Sequence, residues 1–161
     1  MNVGAKCRIW VAGLGNVLMR DDGVGAVAAR LLSESPPPDT VVSEVGTAIM
    51  FYTNEIAEAE QILCIDAVSG GRKPGTVTTF TLDDICEAGD KWGSAHELTL
   101  LDAVDIFRNG KRPPIRIIGI EPERIEYGLE LSESVQGALP EIIELARTTI
   151  SEMASGSKLT G

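Results

Sequence analysis

Short apolar runs suited to strands alternate with stretches whose apolar residues recur at helical spacing. This alternation constrains the fold more than any other feature of the chain. Residues Cys7 to Ala12 form an apolar run that closes on glycine, as a strand buried on both faces does. A glycine-rich loop, Gly13 to Arg20, follows it. Asp21 or Asp22 can then cap a helix on which Val24, Val27, Ala28, Leu31 and Leu32 share a face. The prolines between Ser35 and Asp39 stop that helix. Thr40 to Val45 predicts a second strand, and Ala48 to Ala59 a helix with a weak pattern. In Gln61 to Asp66, a third strand, an apolar run leads up to an acid. The turn Ser69 to Gly75 leads into a strand over Thr76 to Leu82 with no helix between, so that strand is expected to be antiparallel. Ser94-Ala95-His96-Glu97 has the form of a capping box and opens a helix carrying Leu100, Leu101, Val104 and Phe107. Ile115 to Ile120 predicts a further strand. The last helix spans about Ser132 to Met153, with Val135, Leu139, Ile142, Ala146 and Ile150 on one face; Pro140 is expected to bend or break it. Residues 154–161 are small and polar and are expected to fray.

Together these elements predict one α/β domain over residues 1–161. It is a three-layer sandwich: a twisted, mostly parallel sheet of about five strands with helices on both faces. A net charge of -10 with no basic patch argues against a nucleic-acid partner. The apolar stretch from Ile9 to Met19 is interrupted by Gly13, Gly15 and Asn16. No export signal or membrane span is therefore expected, and the expected location is the cytoplasm. Cys7, Cys64 and Cys86 are odd in number and lack zinc-like spacing, which argues against a disulfide framework; Cys64, inside an apolar run, reads as a core residue.

Three positions stand out chemically. The turn after the first strand holds Gly13 and Gly15, but Leu18 occupies the place of the third glycine of a dinucleotide fingerprint. Asp21 and Asp22 also stand where a pyrophosphate would sit. Helix capping accounts for one of these acids and does not require two. Asp66 ends a strand, and the carboxyl ends of strands are where ligands gather in open α/β sheets. His96 is the one histidine of the chain, in the first turn of its helix, where the helix dipole disfavours imidazolium and favours the neutral, metal-binding form. The first and third strands are neighbours in a doubly wound sheet, so Asp22 and Asp66 fall on one edge, and a helix start carrying His96 can face them. One nitrogen and two carboxylate donors suit a divalent first-row metal with open coordination positions.

The same residues carry a family resemblance. Gly13-Leu14-Gly15-Asn16, Asp21-Asp22-Gly23-Val24-Gly25, Gly46-Thr47-Ala48, Ile65-Asp66-Ala67, Ser94-Ala95-His96 and Gly119-Ile120-Glu121-Pro122 occur in an order and spacing similar to those of hydrogenase maturation endopeptidases, from about Arg8 to Met153. The resemblance implies a twisted sheet between helices and nickel binding through Asp22, Asp66 and His96. It implies removal of a C-terminal extension from the precursor of a nickel–iron hydrogenase large subunit after nickel insertion. The nickel would then be carried by the substrate, with cadmium or zinc able to replace it in crystals. No serine or cysteine stands with a base at motif spacing, so an acyl-enzyme is not expected; Asp22 and Asp66 remain the catalytic candidates, with the attacking group open. A monomer without nucleic-acid or membrane partners is expected. The competing reading is a chaperone that checks nickel without cutting. One departure from the family pattern is Ile49, where a further glycine often follows Gly46-Thr47-Ala48; it bears on which precursor is accepted.

Overall fold

The computed structural model describes residues 9–84 and 95–159; Cys7, Cys86 and Ser94 lie outside them. Strands β1 (Ile9–Leu14), β2 (Thr40–Gly46), β3 (Gln61–Ala67), β4 (Val77–Thr81) and β5 (Ile115–Ile120) form one five-stranded sheet in the order β2-β1-β3-β5-β4. All neighbours pair in parallel except β4, which runs antiparallel to β5. This is the arrangement predicted by the missing crossover helix before β4.

Helices α1 (Val24–Leu32) and α4 (Glu133–Leu159) cover one face of the sheet, and α2 (Thr53–Glu58) and α3 (Ala95–Phe107) cover the other. Successive residues of each strand alternate between these layers. Ile9 and Val11 of β1, Leu63 and Ile65 of β3, and Ile118 and Ile120 of β5 pack with Val24, Ala28 and Leu32 of α1 and with the apolar face of α4. Trp10, Ala12, Leu14, Ile62, Cys64 and Ile117 pack with Ile49, Ile56, Leu100, Ala103 and Val104. A strand buried on both faces has no polar alternation, which is why β1 is apolar throughout.

Several boundaries depart from the expectation. The weak helix over 48–59 splits into a 3-10 turn, Ile49–Phe51, and the short α2. The non-helical Tyr52 between them stacks on Trp10 with ring centroids 5.9 Å apart. Leu31 is exposed, and Leu101 is only partly buried beside the fully enclosed Leu100. Pro140 lies inside α4 without ending it. It sits on the solvent side, where the carbonyl of the exposed Gln136, deprived of its helical donor, is open to water. The helix also runs on to Leu159, beyond the expected fraying point at Ala154. Gln61 Nε2 donates to the Met153 carbonyl at 2.9 Å, and Met153 and Ala154 pack against the core, so the helix is held to the sheet as far as Ala154.

Glycine sets how closely α1 approaches the sheet. A β-carbon on Gly25 would lie 2.0 Å from the Ile65 carbonyl oxygen and 2.5 Å from that of Leu14; one on Gly13 would lie 2.3 Å from the Gly25 carbonyl oxygen. Helix and strands therefore meet backbone to backbone. Because those neighbours are main-chain atoms, they cannot rotate away. Gly25→Ala is expected to destabilise the protein by about 2–3 kcal/mol through overpacking, although alanine is the better helix former. Chemical denaturation would check this; an unchanged midpoint would mean that α1 is free to lift.

Candidate functional site

The site forms at the carboxyl ends of β1 and β3. After Leu14 the chain turns at Gly15, whose φ of +108° and close approach to the Asp22 carbonyl oxygen, 1.8 Å from a built β-carbon, both exclude a side chain. Residues Arg20–Gly23 then form a 3-10 turn ahead of α1. The expected capping role of Asp21 and Asp22 does not hold. The N-cap of α1 is Gly23, with no side-chain cap bond, because the 3-10 turn separates both acids from the helix start.

Each acid does something else. The Asp21 carboxylate is fully buried and accepts hydrogen bonds from the amides of Glu123, Arg124 and Ser132 at 2.9, 2.9 and 2.7 Å, and from the Ser132 hydroxyl at 2.8 Å. Burial pushes its pKa up, but the amides of Arg124 and Ser132, the Ser132 hydroxyl and the Glu123 amide outweigh burial and hold it below the ordinary carboxylate value. Asp21 thus fastens the segment after β5 to the turn that carries Asp22. The Asp22 Oδ2 atom accepts the Asn16 amide at 3.0 Å, which fixes the acid over the β1 end.

Asp66 follows Ile62 and Cys64 in the alternation of β3 and so belongs to the α3 face, where His96 starts its helix. Its Oδ1 accepts the Ala67 amide at 2.9 Å, and its Oδ2 lies 3.2 Å from His96 Nδ1. His96 Nε2 lies 3.5 Å from Asp22 Oδ2. Asp22, Asp66 and His96 each offer a donor atom, all within 4.8 Å of one another. The side chains grade from accessible to enclosed: 22% exposed for His96, 14% for Asp22 and 0% for Asp66. The residues singled out by spacing are therefore brought together, on the expected edge. Two oxygens and a nitrogen at this separation match the donor set of a divalent first-row cation and leave further coordination positions for groups from outside the chain.

The protonation state of His96 differs from expectation. Its pKa is pushed up to about 9, first by the hydrogen bond to Asp66; burial opposes this, and the charges of Asp66, Asp22 and Glu97 add to it. Nearby carboxylates prevail over the helix dipole, which acts through partial charges. In the metal-free protein the imidazole is thus a cation held between two acids. The raised value makes this a stabilising interaction that is fully present below the ordinary histidine pKa of 6.5 and is lost as pH rises through about 9. A metal ion taking the nitrogen must displace that proton.

Two residues gain roles from the structure. Glu121, part of the glycine-rich motif at the end of β5, accepts the amides of Gly70 at 2.8 Å and Gly71 at 3.2 Å and so holds the loop after β3. Its signals in the sequence were its place directly after a buried strand and its membership of the Gly119-Ile120-Glu121-Pro122 motif. Ile49 is buried and lines a cavity of about 150 Å³ with Leu14, Gly46, Thr47, His96 and Thr99. The position that departs from the family pattern thus lies beside the site. Cys64 is enclosed in the core, and burial first, then the charges of Glu97 and Asp66, push its thiol well above the usual range, so it is not a nucleophile. Among the described residues no helix is long and apolar enough to cross a membrane.

Comparison with known proteins agrees with this architecture. A family model described as hydrogenase maturation protease matches residues 26–149, a span that includes Asp66 and His96 and begins just after Asp22. The hydrogenase 2 maturation protease of Escherichia coli K12 is 27% identical over 150 residues, covering 90% of this chain and 92% of that protein. The solved structure of the NiFe hydrogenase maturation protease HybD from Thermococcus kodakarensis is 38% identical, with a TM-score of 0.72, and covers 88% of this chain and 98% of its own. The hydrogenase maturating endopeptidase HybD from Escherichia coli is 25% identical with a TM-score of 0.78, covering 90% and 93%.

Proposed function

The chain belongs to the hydrogenase maturation protease family and is a peptidase, and from that premise we propose that it removes the C-terminal extension of a nickel–iron hydrogenase large-subunit precursor after nickel has been inserted. In this reading Asp22, Asp66 and His96 recognise nickel carried by the precursor. The observation that carries it is the convergence of two anchored carboxylates and one imidazole, with donor atoms within 4.8 Å, at a strand-end edge where a partner can reach them. Three donors leave a coordination shell incomplete, and a precursor supplying its own ligands completes it.

The chain's own residues divide the work by accessibility. Asp66 is fixed from below by the Ala67 amide and orients the imidazole. Asp22 is open to solvent on one side and is the acid placed to meet the substrate. When nickel is presented, its charge takes the place of the imidazolium proton between the two acids. Nickel supplies the recognition signal, and both acids remain candidates for assisting the attack on the peptide bond. The cavity lined by Ile49 and Thr47 beside His96 suits a small side chain flanking the scissile bond.

Mass analysis of a large-subunit precursor incubated with the protein tests the proposal. Loss of the C-terminal extension is expected with nickel-loaded precursor, and at least about a hundredfold slower loss without nickel, since the shared coordination shell cannot then form. Equal trimming of both forms would sink the nickel-sensing part of the proposal. Trimming of neither would sink the substrate assignment.

A further inference from the structure

The segment after β5 is unusual in being both firmly bonded and outwardly apolar. The Gly128 amide donates to the Leu18 carbonyl at 2.9 Å, the Arg20 amide to the Gly128 carbonyl at 3.0 Å and the Asp21 amide to the Arg124 carbonyl at 3.1 Å. Arg20 Nε adds a bond to the Glu130 carbonyl at 3.2 Å, and the Asp21 carboxylate pins Glu123, Arg124 and Ser132 from beneath. Such a segment has already lost its conformational entropy in the free protein. Yet Tyr127 is 82% exposed and Leu129 77%, with Ile125 and Leu18 about half exposed beside them. On the other sheet face, the turn that follows Gly46-Thr47 carries Phe51 at 87% exposure and Met50 at 48%. Single exposed apolar residues are ordinary. Here they fall on two shoulders, the segment after β5, bonded to Leu18, and the turn after β2; β5 and β2 are the strands that flank β3 and β1, whose ends hold the site.

We propose that these shoulders, Leu18, Ile125, Tyr127 and Leu129 on one side and Met50 and Phe51 on the other, form the docking surface for the folded body of the protein substrate, with its C-terminal segment entering the cleft between them. The inference rests on the proposed function and adds where the precursor is held away from the scissile bond. Tyr, Phe, Leu and Met on an ordered backbone are suited to the dry centre of a protein interface, and the exposed Glu123, Arg124, Glu126 and Glu130 supply a polar rim. Charge selects the occupant. A second copy of this chain would set two molecules of net charge -10 face to face with their site acids at the centre, and an anionic membrane would be repelled likewise. A neutral or basic protein surface with an apolar patch where its C-terminal segment emerges meets no such penalty.

The test compares wild type with Phe51→Asp and Tyr127→Asp, using a nickel-loaded large-subunit precursor. Steady-state trimming, direct binding of the precursor and thermal melts are measured on all three. Both side chains are so exposed that the melts should coincide. Each variant is expected to raise KM, and to weaken precursor binding, about tenfold or more, with kcat within about twofold. Unchanged KM in both variants, while wild type trims, overturns the docking surface and leaves the proposed function standing. An effect of one variant alone overturns the two-shouldered arrangement. A wild-type dimer that the variants dissociate, with KM unchanged, would reassign the surface to self-association. If wild type neither binds nor trims a precursor, the proposed function fails and this inference falls with it.

Discussion

An Asp66→Asn variant is expected to process nickel-loaded precursor at least about a hundredfold more slowly than wild type while keeping its fold. Asparagine retains an oxygen able to accept the Ala67 amide, so the strand end need not move. What it removes is the negative charge that orients His96 through Nδ1 and that would face the cation. The side chain is fully enclosed, so a stability loss of about 1–2 kcal/mol accompanies the change. His96→Ala should be equally inactive, since no other histidine is available. Asp22→Asn should lose activity at little cost in stability. His96 lies between the two acids, 3.5 Å from Asp22 Oδ2 and 3.2 Å from Asp66 Oδ2, and its positive charge offsets their repulsion. Leu100→Ala, a true core change beside these, should lose about 2–5 kcal/mol. Processing rates and melts on the same variants decide the matter. Normal processing by Asp66→Asn would remove the site from the mechanism, and melts as low as that of Leu100→Ala would recast these residues as structural.

The largest loss of stability is expected from Asp21→Ala, at about 3–5 kcal/mol. The change strips a partner from the Glu123, Arg124 and Ser132 amides and from the Ser132 hydroxyl; both Ser132 bonds are buried and the other two partly so. In a domain of this size that corresponds to a fall in Tm of about 6–20 °C. The effect carries a pH signature. The folded-state pKa of Asp21 lies below the ordinary value of 3.8, so its contribution is present above that value and disappears as pH falls through the lowered one. Melts of wild type and Asp21→Ala should stay apart above about pH 4 and draw together only as pH falls below it. A difference of a degree or two at pH 7 would mean that the segment after β5 is held by its backbone bonds alone.

The strands and the antiparallel setting of β4 were readable because burial on both faces leaves continuous apolar runs, as in Ile62-Leu63-Cys64-Ile65, and because β4 lacks a crossover. The site was readable because Asp66 and His96 stand at element ends, where local sequence gives position. The readings that failed at Asp21 and His96 have a common cause. Asp21 looked like a helix cap because only its near neighbours were in view; its partners lie more than a hundred residues further along. His96 looked neutral because the helix dipole is a local property, whereas Asp66 and Asp22, whose charges favour its protonated form, come from β3 and from the turn after β1. Side-chain bonds across the fold leave no periodicity in the chain. Pro140, expected to bend or break the last helix, does not end it: it stands on a solvent-facing turn, where water can satisfy the lone carbonyl.

The glycine contact between α1 and the sheet has a consequence for how mutations will distribute their effects. Side-chain layers yield when a neighbour changes size, and elements resting on them shift by fractions of an ångström. Gly13 and Gly25 remove that compliant layer under the start of α1, leaving main chain against main chain. Asp22 therefore sits on a hard stop, and its spacing from Asp66 is insulated from repacking elsewhere. Conservative shrinkage of the distal core, such as Ile142→Val or Ile150→Val beneath α4, should cost about 0.5–1.5 kcal/mol each and leave turnover untouched. In this protein thermal robustness and site geometry can drift independently, which leaves lineages or engineers free to retune one without disturbing the other.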